Sequence, residues 1–292
     1  LATETIIYGR EEREIYEAPD FDSYYRSDRV QPLVDRFETL LARTDICSFD
    51  VFDTVLLRDE RSELERFADV AAEFIRRAAA AGEGSVPELR TCLSARVLAA
   101  STAYQMSPEV QGCREGRFEE IVRNLVASLS LPEEPYLALW REAEFEIEAS
   151  QLRGSAFIEN LIDLAVARDK TVIFVSDMYL SASDIARLVE GCGISLEKIA
   201  RIFSSADTVV NKRSGLVYDL VCGEYGTEPG RILHLGDSLE GDFIAAKRRG
   251  LEAIHLPIPK AILRKRLDSH RRMMDRLGGD AALPLPIAPP AL

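Results

Sequence analysis

The stretch "CSFDVFDTVLLR", residues 47–58, ends an apolar run on two aspartates, Asp50 and Asp53, with Phe52 between them. The run itself, "ICSF" (46–49), has four counterparts further on: "TVIFV" (171–175), "ARIF" (200–203), "RILHL" (231–235) and "EAIHL" (252–256). Their length and β-branched content suit buried parallel strands. From the second run onward, a helical pattern precedes each strand. "SASDIARLVEGCG" (181–193) and "GLVYDLVCGEYG" (215–226) both close in glycine, as helix C-caps do. "GDFIAAKRRG" (241–250) follows the same plan, with basic residues in its last turn. Alternating strands and helices predict an α/β fold built on a doubly wound, parallel five-stranded sheet.

More than a hundred residues separate the first run from the second, far beyond a normal crossover. They read as helices. "SELERFADVAAEFIRRAAAAG" (62–82) spaces Leu64, Phe67, Ala71, Phe74 and Ile75 as a buried stripe. "RFEEIVRNLVASLS" (117–130) and "EEPYLALWREAEFEIEASQL" (133–152) behave alike, punctuated by "GEGSVPE" (82–88) and "LPEEP" (131–135). A further helix at about 155–168 returns to the sheet. Before the first strand, "VQPLVDRFETLLA" (30–42) is amphipathic, and the tyrosine-rich stretch ahead of it (Tyr8, Tyr16, Tyr24, Tyr25) is expected to pack against the core. After the last strand come a basic amphipathic helix, "AILRKRLDSHRRMMDRL" (261–277), and a proline-rich tail, "ALPLPIAPPAL" (282–292). The expected organisation is an N-terminal helical extension (1–43), a sheet core (44–58 and 154–258), a helical insertion (59–153) and a C-terminal helix with tail (259–292).

A net charge of −13 disfavours nucleic acid and anionic membrane surfaces as partners. The basic C-terminal helix is expected to form an intramolecular salt-bridged face, with a protein partner as the alternative. The five cysteines are odd in number and form no C-x-x-C, and only three histidines accompany them, so neither a disulfide framework nor a zinc site is expected. No apolar run approaches the ~20 residues of a spanning helix. The sequence starts at Leu1 and opens on no signal-peptide pattern. Reduced thiols and a cytoplasmic location are the expectation.

In an open parallel sheet, ligands bind beyond the carboxyl ends of the strands. The first run ends in Asp50, with Thr54 four residues on; the second ends in Ser176, followed by Asp177. Lys212, in "VVNKRSG" before a helix, follows the third, and "GDSLEGD", with Asp237 and Asp242, follows the fourth. Three converging carboxylates repel one another unless a cation neutralises them, and carboxylates with phosphate oxygens suit Mg²⁺. Lys212, Thr54 and Ser176 are donors for phosphoryl oxygens, with Asp177 beside them. A carboxylate facing such a phosphoryl group can attack in line to form an aspartyl-phosphate.

The order and spacing of these residues resemble the haloacid dehalogenase-like (HAD) hydrolases over about residues 45–257. "DVFDT" matches the family's first motif, Ser176 in "VIFVSD" the second, Lys212 the third and "GDSLEGD" the fourth. The helical insertion looks like the family's cap. "FDVFDT" with "VSDMYL" further resembles a subgroup of predicted bacterial HAD hydrolases often encoded near glycosyltransferases. The resemblance implies Asp50 as nucleophile and Mg²⁺ held by Asp50, the backbone carbonyl of Phe52, and Asp237. Asp242 would bind the metal or orient its waters, while Thr54, Ser176 and Lys212 hold the phosphoryl group. Phe52 departs from the family phosphatases, which carry an aspartate there as proton donor. Loss of such a group costs ~10²–10⁴-fold. Asp53 is either a substitute acid or a turn-stabilising side chain.

Three functions follow. The first is a Mg²⁺-dependent phosphatase or phosphotransferase on a small phosphorylated metabolite, sugar phosphates among the candidates. The second is a metal-independent dehalogenase-type hydrolase, since dehalogenases also carry a bulky residue at the Phe52 position. The third is a phosphoryl-binding module with little turnover. Arg90, Arg96, Tyr104 and Arg114 of the insertion are within reach of a substrate, although surface or packing roles are the ordinary reading.

Overall fold

In the computed structural model, which describes residues 9–84 and 86–278, seven strands form two sheets. In chain order they are β1 (Ile46–Asp50), β2 (Leu56–Arg58), β3 (Leu152–Gly154), β4 (Thr171–Ser176), β5 (Arg201–Ser204), β6 (Ile232–Gly236) and β7 (Glu252–His255). The five predicted runs make the main sheet, all parallel, in the order β5-β4-β1-β6-β7. Strand β1 is central, with Asp50 opposite Val175 and Phe49 opposite both Phe174 and Leu235. Successive side chains leave opposite faces of the sheet. Cys47, Phe49, Val172, Phe174, Leu233 and Leu235 join one apolar core, and Ile46, Ile173, Val175 and Ile232 join another. Both faces are covered, which is why these strands read as unbroken apolar runs rather than alternating ones. Strands β2 and β3 pair antiparallel as a separate ribbon of three residues each.

Three helices precede β1: α1 (Arg10–Tyr16), α2 (Phe21–Tyr25) and α3 (Gln31–Leu41). Helix α3 buries Leu33, Phe37, Leu40 and Leu41 along one face. Tyr24 and Tyr25 are buried, and Tyr25 stacks on Phe157 with 4.3 Å between ring centroids. Tyr8 and the proline-rich tail lie outside the described residues.

Between β2 and β3 stand α4 (Glu63–Ala80), α5 (Leu89–Met106), α6 (Phe118–Ser128) and α7 (Glu133–Ser150). Helix α4 packs on α7 and α5 on α6, around Phe74 and Trp140, whose ring centroids are 4.7 Å apart. Their interior holds a polar knot on Glu144. Arg96 donates through both Nε (2.9 Å) and Nη2 (2.5 Å), Trp140 Nε1 donates at 2.8 Å, and the Tyr179 hydroxyl donates at 2.9 Å. Full satisfaction by four donors makes a charge tolerable at Glu144, which is 1% exposed. Tyr179 comes from the loop after β4, so this knot also joins the insertion to the sheet.

The remaining helices are α8 (Ala156–Ala167), α9 (Ala182–Gly191), α10 (Ser205–Thr208), α11 (Leu216–Tyr225), α12 (Ala246–Arg248) and α13 (Lys260–Arg276). Ser155 and Ser181 cap α8 and α9 by accepting the N–H groups of Ile158 and Asp184. The segment expected as an ordinary helix from 241 begins instead as a π-helical turn, Leu239–Ala245, before α12. Such widened turns often accompany functional sites. Helix α13 packs on α4, with the Ser62 N–H donating to Ser269 Oγ at 2.8 Å and Lys265 paired with Glu60. Among the described residues, no helix is long and apolar enough to cross a membrane.

Candidate active site

The carboxyl edge of the sheet opens into a cleft of about 580 Å³. Asp50, Ser176, Asp177, Lys212 and Asp237 line it from the strand ends. Phe52, Arg58, Arg66, Tyr104 and Glu148 line it from the side of the insertion.

Asp50 is the last residue of β1, so its side chain emerges where the strand's hydrogen bonding stops. Lys212, in the turn ahead of α11, sets its Nζ 2.5 Å from Asp50 Oδ1 and 2.6 Å from Asp242 Oδ1. His234 Nε2 lies 3.0 Å from the same Asp242 oxygen, and the Ser238 N–H donates to Asp242 Oδ2 at 2.8 Å. Behind it, His234 Nδ1 is 2.8 Å from Ser48 Oγ. Ser48, His234 and Asp242 have the membership of a hydrolytic triad, but each is at most 1% exposed. No substrate reaches that serine; the chain of contacts serves to hold Asp242 against Lys212. Gly236 makes room for it, since a Cβ there would stand 2.3 Å from the Asp242 carboxyl carbon.

Charge follows from these contacts. Burial opposes the Lys212 ammonium, but Asp242 and Asp50 outweigh it and hold the pKa well above the lysine range. Burial also opposes the Asp242 carboxylate, yet Lys212 and His234 keep it ionised below the usual aspartate range. Asp50 goes the other way: burial pushes its carboxyl up, and Lys212 only partly offsets this. Asp237 is pushed well above its ordinary value by burial and by the facing Asp50, Asp53 and Asp242.

One oxygen from each of Asp50, Asp237 and Asp242 falls within 4.8 Å of the other two. Asp50 Oδ2 and Thr54 Oγ1 are buried with no hydrogen-bond partner among the described residues. A crowded carboxyl cluster with an orphaned oxygen fits a small, hard divalent cation. The donor set is entirely oxygen.

The two remaining polar residues at β4 differ. Ser176 closes the strand, 2% exposed, and lines the cleft. Asp177, expected on the phosphoryl side, is engaged otherwise: both its oxygens accept the Lys212 backbone N–H at 2.9 Å. It anchors the turn that aims Lys212. Burial raises its pKa to about 6, against the pull of Lys212.

Of the two readings of Asp53, the contacts favour the turn-stabilising one. Its φ of 63° lies in the left-handed region, where aspartate is among the tolerated residues. Its Oδ1 accepts from Arg266 Nη2 at 2.7 Å and from the Arg58 N–H at 3.2 Å, and its Oδ2 accepts from Arg266 Nη1 at 2.9 Å. Burial alone would raise its pKa, but Arg266 holds the carboxyl below the usual range. A carboxylate committed to a two-pronged arginine pair has no proton to give. It stabilises the turn, and its partner comes from α13.

The insertion residues singled out from sequence also sort themselves. Arg96 is buried on Glu144, Arg114 donates to the Ser107 carbonyl and pairs with Glu109, and Arg90 is exposed and away from the cleft. Only Tyr104 lines it. The residues that sequence reasoning passed over are Arg58, Arg66 and Glu148. Arg58 stands 4.3 Å above the Phe52 ring and 3.4 Å from Glu148. It sits at the end of the opening motif itself, where a charge amid a buried apolar run is a signal.

The fold has counterparts among solved structures. A 2-haloacid dehalogenase from Pseudomonas syringae superposes with a TM-score of 0.50 at 16% identity, over 73% of this chain and 86% of that one. The chain has the haloacid dehalogenase-like fold. A predicted phosphoglycolate phosphatase from Haemophilus somnus gives 0.43 at 12% identity, over 76% of this chain and 91% of that one. A HAD-hydrolase from Bacillus subtilis, solved bound to magnesium, gives 0.44 at 17% identity, over 72% and 87%. The sequence itself matches no protein-family model, and no curated protein matches it significantly. A shared fold does not by itself choose a chemistry, which is left to the site.

Proposed function

We propose that the chain is a Mg²⁺-dependent phosphatase or phosphotransferase acting on a small phosphorylated metabolite through an aspartyl-phosphate at Asp50. The observation that carries this reading is Asp50 itself: one oxygen is fixed by Lys212 and the other is buried, unpartnered and beside two more carboxylates. Asp50, Asp237 and the Phe52 carbonyl would hold Mg²⁺, with Asp242 in support. When bound, the ion supplies charge neutralisation for the phosphoryl oxygens and for the converging acids. Asp50 attacks the phosphorus; Lys212, Ser176 and Thr54 orient and stabilise the transferring group. Hydrolysis of the aspartyl-phosphate by water returns the carboxylate. All five cysteines are free thiols, which supports a reducing, cytoplasmic setting.

Phosphate release from a panel of phosphorylated metabolites, with Mg²⁺ and with EDTA, tests the reading. It requires activity that EDTA abolishes and that Asp50→Asn lacks; turnover unchanged in Asp50→Asn rejects it. Phe52 favours a second reading, a dehalogenase, because a departing halide needs no proton. The carboxylate cluster and Lys212 clamp weigh against it. Chloride release from a 2-chloroacid in excess EDTA would establish it instead.

A further inference from the structure

The cleft has an asymmetry that bears on the substrate. Its sheet side is rich in groups for a phosphoryl oxygen, whereas the buried carboxyls of its insertion side are each engaged by an arginine. Phe52 occupies the position two residues after the nucleophile and carries no proton. Asp53 is committed to Arg266. Glu148 faces Arg58 at 3.4 Å, Asp177 grips the Lys212 N–H with both oxygens, and Glu63 and Glu240 are exposed.

In place of an acid, this side offers cations. Arg58 stacks on the Phe52 ring, and its side chain is only 13% exposed. Its Nε is buried with no hydrogen-bond partner among the described residues, and the same is true of Arg66 Nε. A guanidinium held over an aromatic face, with a donor unspent, is a built receptor for an oxyanion. It can stabilise negative charge on a departing oxygen, but its pKa is too high to serve as an acid.

We propose that the site is selective for phosphoryl groups whose leaving group departs as a stable anion without being protonated, the chemistry of acyl phosphates and phosphoanhydrides, and that Arg58 pairs with that anion. This rests on the phosphatase reading of Asp50 and narrows it, away from alkyl monoesters such as hexose 6-phosphates. In the transfer, an Asp50 oxygen forms its bond to phosphorus as the bond from phosphorus to the leaving oxygen breaks. The electron pair of the broken bond stays on that oxygen, which leaves as an anion beside Arg58, and no proton moves. Water then adds to the phosphorus of the aspartyl-phosphate. The Asp50 carboxylate leaves, and both protons of the water end on the phosphate, released as dihydrogen phosphate.

The test is a leaving-group series with Mg²⁺: acetyl phosphate, ADP, p-nitrophenyl phosphate and glycerol 3-phosphate, read as kcat/KM together with the mass of acid-quenched enzyme. The expected result is a steep dependence, with glycerol 3-phosphate ~10²–10⁴-fold below the best member, the cost of an absent acid. Acetyl phosphate leading identifies an acyl phosphate as the source, and ADP leading identifies an anhydride. Phe52→Asp should compress the span by raising glycerol 3-phosphate most. Arg58→Met should lower every member and steepen the dependence, with Arg58→Lys recovering part of the loss. A flat series in the wild type, or a selective loss of glycerol 3-phosphate turnover in Tyr104→Phe, shows that a proton is delivered and overturns the proposal while the phosphatase reading stands. No phosphate and no 80-Da-class adduct on Asp50 from any member (about the mass of one phosphoryl group) overturns the phosphatase reading itself.

Discussion

Asp50 and Asp53 stand three residues apart, both buried, each facing a cation from far along the chain. Their surroundings are nevertheless opposite. Asp50 meets a single lysine that it shares with Asp242, and keeps one oxygen bare. Asp53 meets a guanidinium that matches both its oxygens, with a backbone N–H in addition. One carboxylate retains an unmet demand that a ligand can fill; the other is satisfied within the fold. Two like residues in one turn can thus divide reactivity from architecture, because a point-charge lysine leaves lone pairs over and a forked arginine does not.

Substitution at the two positions is the strongest way to break this contrast. Asp50→Asn should abolish phosphate release, by about 10⁴-fold or more, with little change in the urea midpoint. Asp53→Asn should do the reverse, retaining measurable turnover while losing stability. If Asp53→Asn silences the enzyme at unchanged stability, the division is wrong. Next in size, Arg266→Met removes one partner of a buried pair and should cost about 3–5 kcal/mol in urea unfolding. The Asp53→Asn/Arg266→Met double variant should recover part of that loss. Gly236→Ala sharpens the Asp50 side. Its methyl group would displace the Asp242 carboxyl, costing about 1–3 kcal/mol and loosening Lys212, which lowers turnover as well.

The smallest effect is pH dependence. Asp53 has a lower pKa folded than unfolded, so its pair contributes fully above the ordinary aspartate value of about 3.9. That contribution is lost as pH falls through the folded value. Urea midpoints measured through the acid range should therefore fall less steeply in Asp53→Asn than in the wild type. Equal slopes would mean that Arg266 does not favour the ionised form.

The five strands and the residues after each were legible because buried parallel strands are short, apolar and bounded, and because the motifs follow the first, second and fourth strands directly and the third within eight residues. The ribbon of β2 and β3 was not, since three residues are too few to show a period of two. Arg96 illustrates another limit. Its place on α5 said nothing of Glu144, 48 residues away, so a packing role could be named as the ordinary one without its partner being legible. The Asp53 question could not be settled from the motif alone, because its answer lies 213 residues on, in Arg266. Arg58 stood in the opening stretch all along. What distinguished it, the Phe52 ring beneath and Glu148 alongside, is tertiary.

That long reach from Asp53 to Arg266 also imposes an order in time. Chains are made from the N-terminus at about 5–20 residues per second, and their earlier parts begin to fold first. The strand that carries Asp50 is therefore synthesised well before the arginine that completes its turn. Until α13 docks, a left-handed Asp53 would carry its charge without a counter-ion, next to Asp50 and Asp237. The turn between Asp50 and Asp53 is thus completed only after every strand of the sheet has been made, so a growing chain acquires its sheet before this turn finds its counter-ion.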